Sequence, residues 1–85
     1  MHARLVRARE DLAVLDEQLA VVLESADEAR VRSLVAETPL AAHEHSEASR
    51  HADAMARARA ALASTVSDLE HRQDELLADV VPRNS

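Results

Sequence analysis

The chain has 85 residues, a net charge of −6 and no cysteine, so it allows one domain at most and no disulfide or thiolate chemistry. Hydrophobic residues make up 47% of it, yet Phe, Tyr and Trp are absent, so a core must be built from aliphatic and small side chains. The acidic balance argues against free nucleic acid as a partner, because nucleic-acid binding needs a clustered basic face. Since no apolar run approaches a membrane span of about 20 residues, we expect no membrane association and a cytoplasmic location.

The first predicted element is a long amphipathic helix over about residues 3–36. Its apolar residues recur in alternating steps of three and four, which is the heptad pattern of a coiled coil. The apolar stripe that would face a partner helix, which we call the seam, consists of Leu5, Ala8, Leu12, Leu15, Leu19, Val22, Ala26 and Ala29. Past Ala29 the pattern slips, because Ser33 takes a seam position. A capping-box pattern that begins at Ser25 makes a break or bend in the helix near that residue an alternative.

A turn is predicted at about residues 37–39. Thr38 is a good N-cap residue, Pro39 is favoured at the first position of a helix, and the residue before a proline is biased away from helical geometry. The chain contains no glycine, which predicts few other turns.

The second predicted helix covers about residues 39–81, and residues 82–85 form a short tail. One of the two core positions of its heptad repeat is occupied by Ala41, Ala48, Met55, Leu62, Leu69 and Leu76. At the other core position, polar residues occur three times, as His45, Arg59 and Gln73. Buried polar residues in coiled coils set the register or the number of partners, and we interpret these three in that way.

A short connection between long helices predicts that the chain folds back on itself. The expected fold is therefore all-α, an antiparallel two-helix coiled-coil hairpin in a single domain. Folding about Thr38 lays the basic start of the first helix beside an acidic segment that contains Glu70, and it brings Arg59 near Asp16.

The second helix is longer than the first, so its end projects past the hairpin. Its apolar side chains there need a cover, since exposing several of them is unfavourable. We expect a second copy to provide it, giving a homodimeric four-helix bundle. The predicted interface residues are Leu69, Leu76, Leu77, Val80 and Val81.

Three side chains at helical spacing near the turn, His43, Glu47 and His51, are the only candidate metal ligands. Because the two histidines are about 12 Å apart along a helix axis, one ion could bind only a neighbouring pair, and we predict no metal site. A second stripe, His45, Ser49 and Asp53, places the serine between the other two residues, whereas a catalytic base must lie between nucleophile and acid. We therefore expect no enzyme activity and no cofactor.

The segments ETPLA, RHADAMARARAAL and SDLEHRQDELLADV resemble small helical-hairpin proteins of high-GC bacteria, which have no assigned activity. In shape the hairpin is also similar to transcript-cleavage proteins, whose coiled coil presents acidic residues to RNA polymerase. That resemblance implies an alternative function, a regulatory hairpin that binds RNA polymerase or a sigma factor through Glu37, Glu44 and Glu47. The main expectation is a non-enzymatic module that works by helix–helix contact, with itself or with another protein.

Overall fold

The computed structural model of the protein describes residues 2–80, the side chain of Val80 excepted. Within this range the chain forms two helices and no strand: α1 spans His2–Ala36 and α2 spans Pro39–Val80. The prediction of an all-helical chain is confirmed. The described part of the protein is elongated, with extents of 70 × 19 × 15 Å. Neither of the two described helices is both long enough and apolar enough to cross a membrane.

The first helix runs through Ser25 without a break. Its predicted seam positions are buried or half-buried throughout. Ser33 is also half-buried, whereas Leu34 and Val35 are exposed. Ser33, seven residues after Ala26, thus still lies on the face of α1 that meets α2 although the apolar residues leave that face, because residues at helical spacing share one face of an unbroken helix.

The two-residue connection between the helices is held by hydrogen bonds at both ends. Glu37 has a positive φ of 50°, and its N–H donates to the carbonyl oxygen of Ser33 at 3.1 Å, which closes the end of α1. Thr38 Oγ1 accepts a hydrogen bond from the backbone N–H of Ala41 at 3.2 Å, so the predicted N-cap is confirmed. Pro39 then begins α2, where its missing N–H costs nothing.

Contacts between the helices pair residues in opposite sequence order. His2 contacts Gln73, Arg9 contacts Glu70 and Asp16 contacts Arg59. A residue n of α1 therefore lies level with about residue 75 − n of α2. The last seven residues of α2, 74–80, extend about 10 Å beyond the start of α1 at 1.5 Å per residue. We call residues 74–80 the overhang.

The core lies nearer the chain ends than the connection. Leu5 is fully buried and packs in a cluster with Ala8, Val66 and Leu69, and Leu12 and Leu62 pack against that cluster. Towards the connection the buried residues are alanines, Ala29, Ala41 and Ala52. Since alanine buries little area, hydrophobic stabilisation is concentrated at the end of the helix pair that carries Leu5.

Candidate functional site

The connection end of the helix pair carries an apolar surface that has no cover within the described chain. We call residues 31–44 the tip. Leu34, Val35 and Leu40 are exposed there, Val35 by 80%. A cavity of about 350 Å³ opens beside them and is lined by Val31, Arg32, Val35, Ala36, Thr38, Leu40, Ala41 and Glu44. The alternative function inferred from the sequence concerns only the acidic residues of this end, so the apolar surface adds to them.

The predicted acidic residues of the tip are nevertheless all exposed. Glu44 borders the apolar cavity, Glu37 lies in the connection, and Glu47 follows one turn later on α2. The tip therefore combines apolar contact area with negative charge at its border.

The three candidate metal ligands do not form a cluster. His43, Glu47 and His51 are exposed, and Glu47 Oε1 accepts a hydrogen bond from Arg50 at 3.4 Å. Among residues 2–80, no three His, Cys, Asp or Glu side chains are placed to hold a metal ion. His51 instead lines an apolar cavity between the helices.

One side of the helix pair carries the described polar contacts between the helices, and we call it the polar side. Arg9 pairs with Glu70 at 2.7 Å and Arg59 Nε donates to Asp16 Oδ1 at 2.6 Å. Hydrogen bonding to Asp16 and the charge of its carboxylate raise the pKa of Arg59 above its ordinary value. The expected proximity of Arg59 and Asp16 is confirmed.

The opposite side of the helix pair, which we call the groove side, has gaps between the helices. A cavity of about 530 Å³ is lined by Glu17, Gln18, Val21, Val22 and Met55. Next to it, a cavity of about 250 Å³ is lined by Val21, Val22, Ser25, Ala48 and His51. Val21 lines both and is 66% exposed. The groove side is therefore open and apolar near its middle.

The predicted interface residues fall in different environments. Leu76 and Leu77 in the overhang are 50% and 54% exposed. Leu69 is only 4% exposed and packs within the hairpin against the Leu5 cluster. Val81 and the side chain of Val80 lie outside the part of the chain that the structure describes.

Sequence reasoning missed the groove side and the apolar surface of the tip. Val14 and Val21 stand seven residues apart, and so do Ala54 and Ala61, each two residues after a seam residue. That spacing is the signal that could have indicated a second apolar strip beside the first. It was overlooked because the sequence interpretation treats the regular heptad of the seam as the whole apolar pattern.

Comparison with known proteins gives no relative for this chain. No protein-family model matches it, and neither the curated proteins nor the solved structures contain a match.

Proposed function

We propose that the protein is a non-enzymatic helical interaction module: an antiparallel coiled-coil hairpin that self-associates as a homodimeric four-helix bundle. The observation that carries this proposal is the distribution of its apolar residues. Among the side chains that the structure describes, the buried large aliphatic ones are Leu5, Val66 and Leu69. At least ten others within residues 2–80 are exposed.

The hairpin part of the proposal is supported by the spacing of its buried positions. On α1 the covered residues follow the heptad from Leu5 to Ser33, and on α2 they follow it from Ala41 to Gln73. Contacts in opposite sequence order, such as Arg9 with Glu70, support the antiparallel direction. Knobs-into-holes packing of two helices buries only one narrow stripe on each, so apolar residues beside the stripe need further helices to cover them.

Self-association is tested by measuring mass over a range of concentrations. Analytical ultracentrifugation should give twice the 9.3 kDa mass of the chain at micromolar concentration. In parallel, the urea midpoint of the helical circular-dichroism signal should rise with protein concentration, since a ligand that binds only the folded state stabilises it. A folded monomer at high micromolar concentration, with a midpoint independent of concentration, would refute the proposal.

A second candidate function is favoured by the apolar cavity of about 350 Å³ at the tip, which the exposed side chains of Val35 and Leu40 line. In this alternative the tip binds a helix of another protein, and RNA polymerase or a sigma factor is the partner that the sequence resemblance implies. Cosedimentation with purified polymerase tests it. Glu44→Lys with Glu47→Lys should abolish binding, whereas Asp53→Lys, an exposed acidic site on the same helix, should not.

A further inference from the structure

We propose that Arg59 and Asp16 close the polar side of the helix pair to further helices, and thereby limit the number of chains that the protein can assemble. The inference goes beyond the proposed self-association, because it concerns what ends an assembly and not what starts one. Removing this one pair of charges should therefore enlarge the assembly.

Arg59 is a charged residue at a position that the heptad repeat reserves for apolar side chains. It is half-buried, and its Nε donates to Asp16 Oδ1 at 2.6 Å. The neighbouring seam positions on the two helices hold apolar side chains that are half-buried as well: Leu15, Leu19, Met55 and Leu62. Leucine in place of Arg59 would continue this apolar core, so the arginine is not the residue that burial alone favours.

Both charged groups of the pair remain in contact with water. The side chains of Arg59 and Asp16 are 41% and 47% exposed. An ion pair this exposed contributes little to stability, because solvent screens it. A helix placed over the pair would remove that water from both groups, and the loss of hydration is costly even for paired charges. The pair is thus tolerated on an open face and unfavourable on a covered one.

Apart from this pair, the middle of the polar side would suit a further helix. On α1, helical spacing places four residues on this side between Arg9 and Asp27, namely Ala13, Asp16, Ala20 and Leu23. On α2, it places four between Asp53 and Glu70, namely Ala56, Ala60, Ala63 and Ser67. Asp16 is the one charged residue among these eight. Since small side chains let another helix approach closely, the charges of Asp16 and Arg59 are the obstacle at this level.

An open polar side would give each helix pair two opposite faces for association. The groove side already has unfilled apolar space beside Val21. Copies that dock through two different faces add without limit unless their symmetry closes the assembly. Charges at such points exclude unwanted partners at some cost in stability. With the polar side closed, association is confined to the remaining surfaces.

Arg59→Leu with Asp16→Ala tests the proposal, because this double variant removes both charges and leaves neither of them unpaired. Analytical ultracentrifugation at high micromolar concentration should show an assembly that is larger than the parent's by at least one chain. The helical circular-dichroism signal should be kept, since leucine suits a seam position and alanine favours helix. Arg59→Met with Asp16→Ala removes the same charges with an unbranched side chain and should give the same larger mass. An unchanged mass in both variants would overturn the proposal.

Arg57→Leu with Glu24→Ala is the matched control. Both residues are exposed, and each is two positions from the nearest seam residues, so both point away from the seam. The control also loses one charge of each sign and gains one leucine, yet it should keep the parental mass. Arg59→Lys should keep it too, because lysine still carries a charge towards Asp16. Equal growth of the control and of the test variant would show that an added leucine drives association, which would overturn the proposal.

A single cysteine shows whether the polar side is the face that opens, because the chain has no cysteine of its own. Ala20 is exposed on that side, one turn from Asp16. In the background of the test variant, alkylation of Ala20→Cys by N-ethylmaleimide should slow several-fold between low and high micromolar protein. In the parent background its rate should not change. A larger mass without any slowing at Ala20→Cys would overturn the assigned face.

The mass of the parent separates the failure of this inference from the failure of self-association. A parent of one chain with a larger test variant would refute self-association and support the closed polar side. A parent of two chains with an unchanged test variant would support self-association and overturn the inference. We expect a parent and a control of two chains and a larger test variant.

Discussion

Replacing Leu5 with alanine should destabilise the protein more than any comparable change on α1. Leu5 is 0% exposed and lies at the centre of the cluster formed with Ala8, Val66 and Leu69. Truncating a fully buried leucine costs about 2–5 kcal/mol, which includes the cavity that remains. That is a large part of the roughly 5–15 kcal/mol available to a small domain. Urea unfolding followed by circular dichroism, at one fixed protein concentration, should show the midpoint lowered by more than about 1 M.

Leu23→Ala is the matched control for this experiment. It makes the same chemical change in the same helix, but Leu23 is 52% exposed. The intrinsic helix propensities of leucine and alanine are close, so the difference between the two variants isolates burial. We expect Leu23→Ala to cost about 1 kcal/mol or less, in proportion to its smaller buried area. Equal losses for both variants would show that the Leu5 cluster is not the core and would refute the register.

Three further outcomes follow from the connection and its neighbours. Thr38→Ala should cost about 1 kcal/mol through the lost cap, and Thr38→Ser should restore most of it; an unchanged midpoint in Thr38→Ala would contradict the cap. Glu37→Gly should raise stability by up to about 1 kcal/mol because glycine tolerates a positive φ, whereas Glu37→Ala, which loses the same charge, should not. His43→Ala with His51→Ala should leave the melting temperature nearly unchanged, and stoichiometric zinc in untagged native protein, lost in that double variant, would count against our interpretation.

Features set by neighbouring residues could be predicted from the sequence. The heptad identifies Leu5, Ala8 and Leu69 as seam residues because helical periodicity alone decides which side chains share a face. The cap at Thr38 depends on a threonine and a proline in succession, which is equally local. The slip of the apolar pattern at Ser33 does not mark a change in structure. The chain stays helical there, and Ser33 is half-buried on the same face of α1 as the preceding seam residues.

The two sides of the seam could not be told apart from the sequence. Both sides of the seam hold apolar and charged residues, so their composition does not show which side carries the polar contacts between the helices. Which side carries ion pairs between the helices depends on residues far apart in the chain, such as Arg9 and Glu70, whose side chains meet only after folding. The apolar tip was missed for a similar reason, because Val35 and Leu40 belong to different helices and become neighbours only through the connection.

The small residues along the middle of the seam link stability to association. Where α1 presents Ala26 and Ala29, α2 presents Ala48 and Ala52, so the helices can approach closely but bury little area for each turn. Helices in water depend mainly on tertiary packing, and this stretch supplies little of it within one chain. The open cavities beside Val21 lie at the same level, so the helices leave space unfilled in this stretch. Under the proposed self-association, a stretch with so little burial of its own gains more from a second copy than the Leu5 cluster does, and amide exchange near Val22 should slow with protein concentration more than exchange near Leu5.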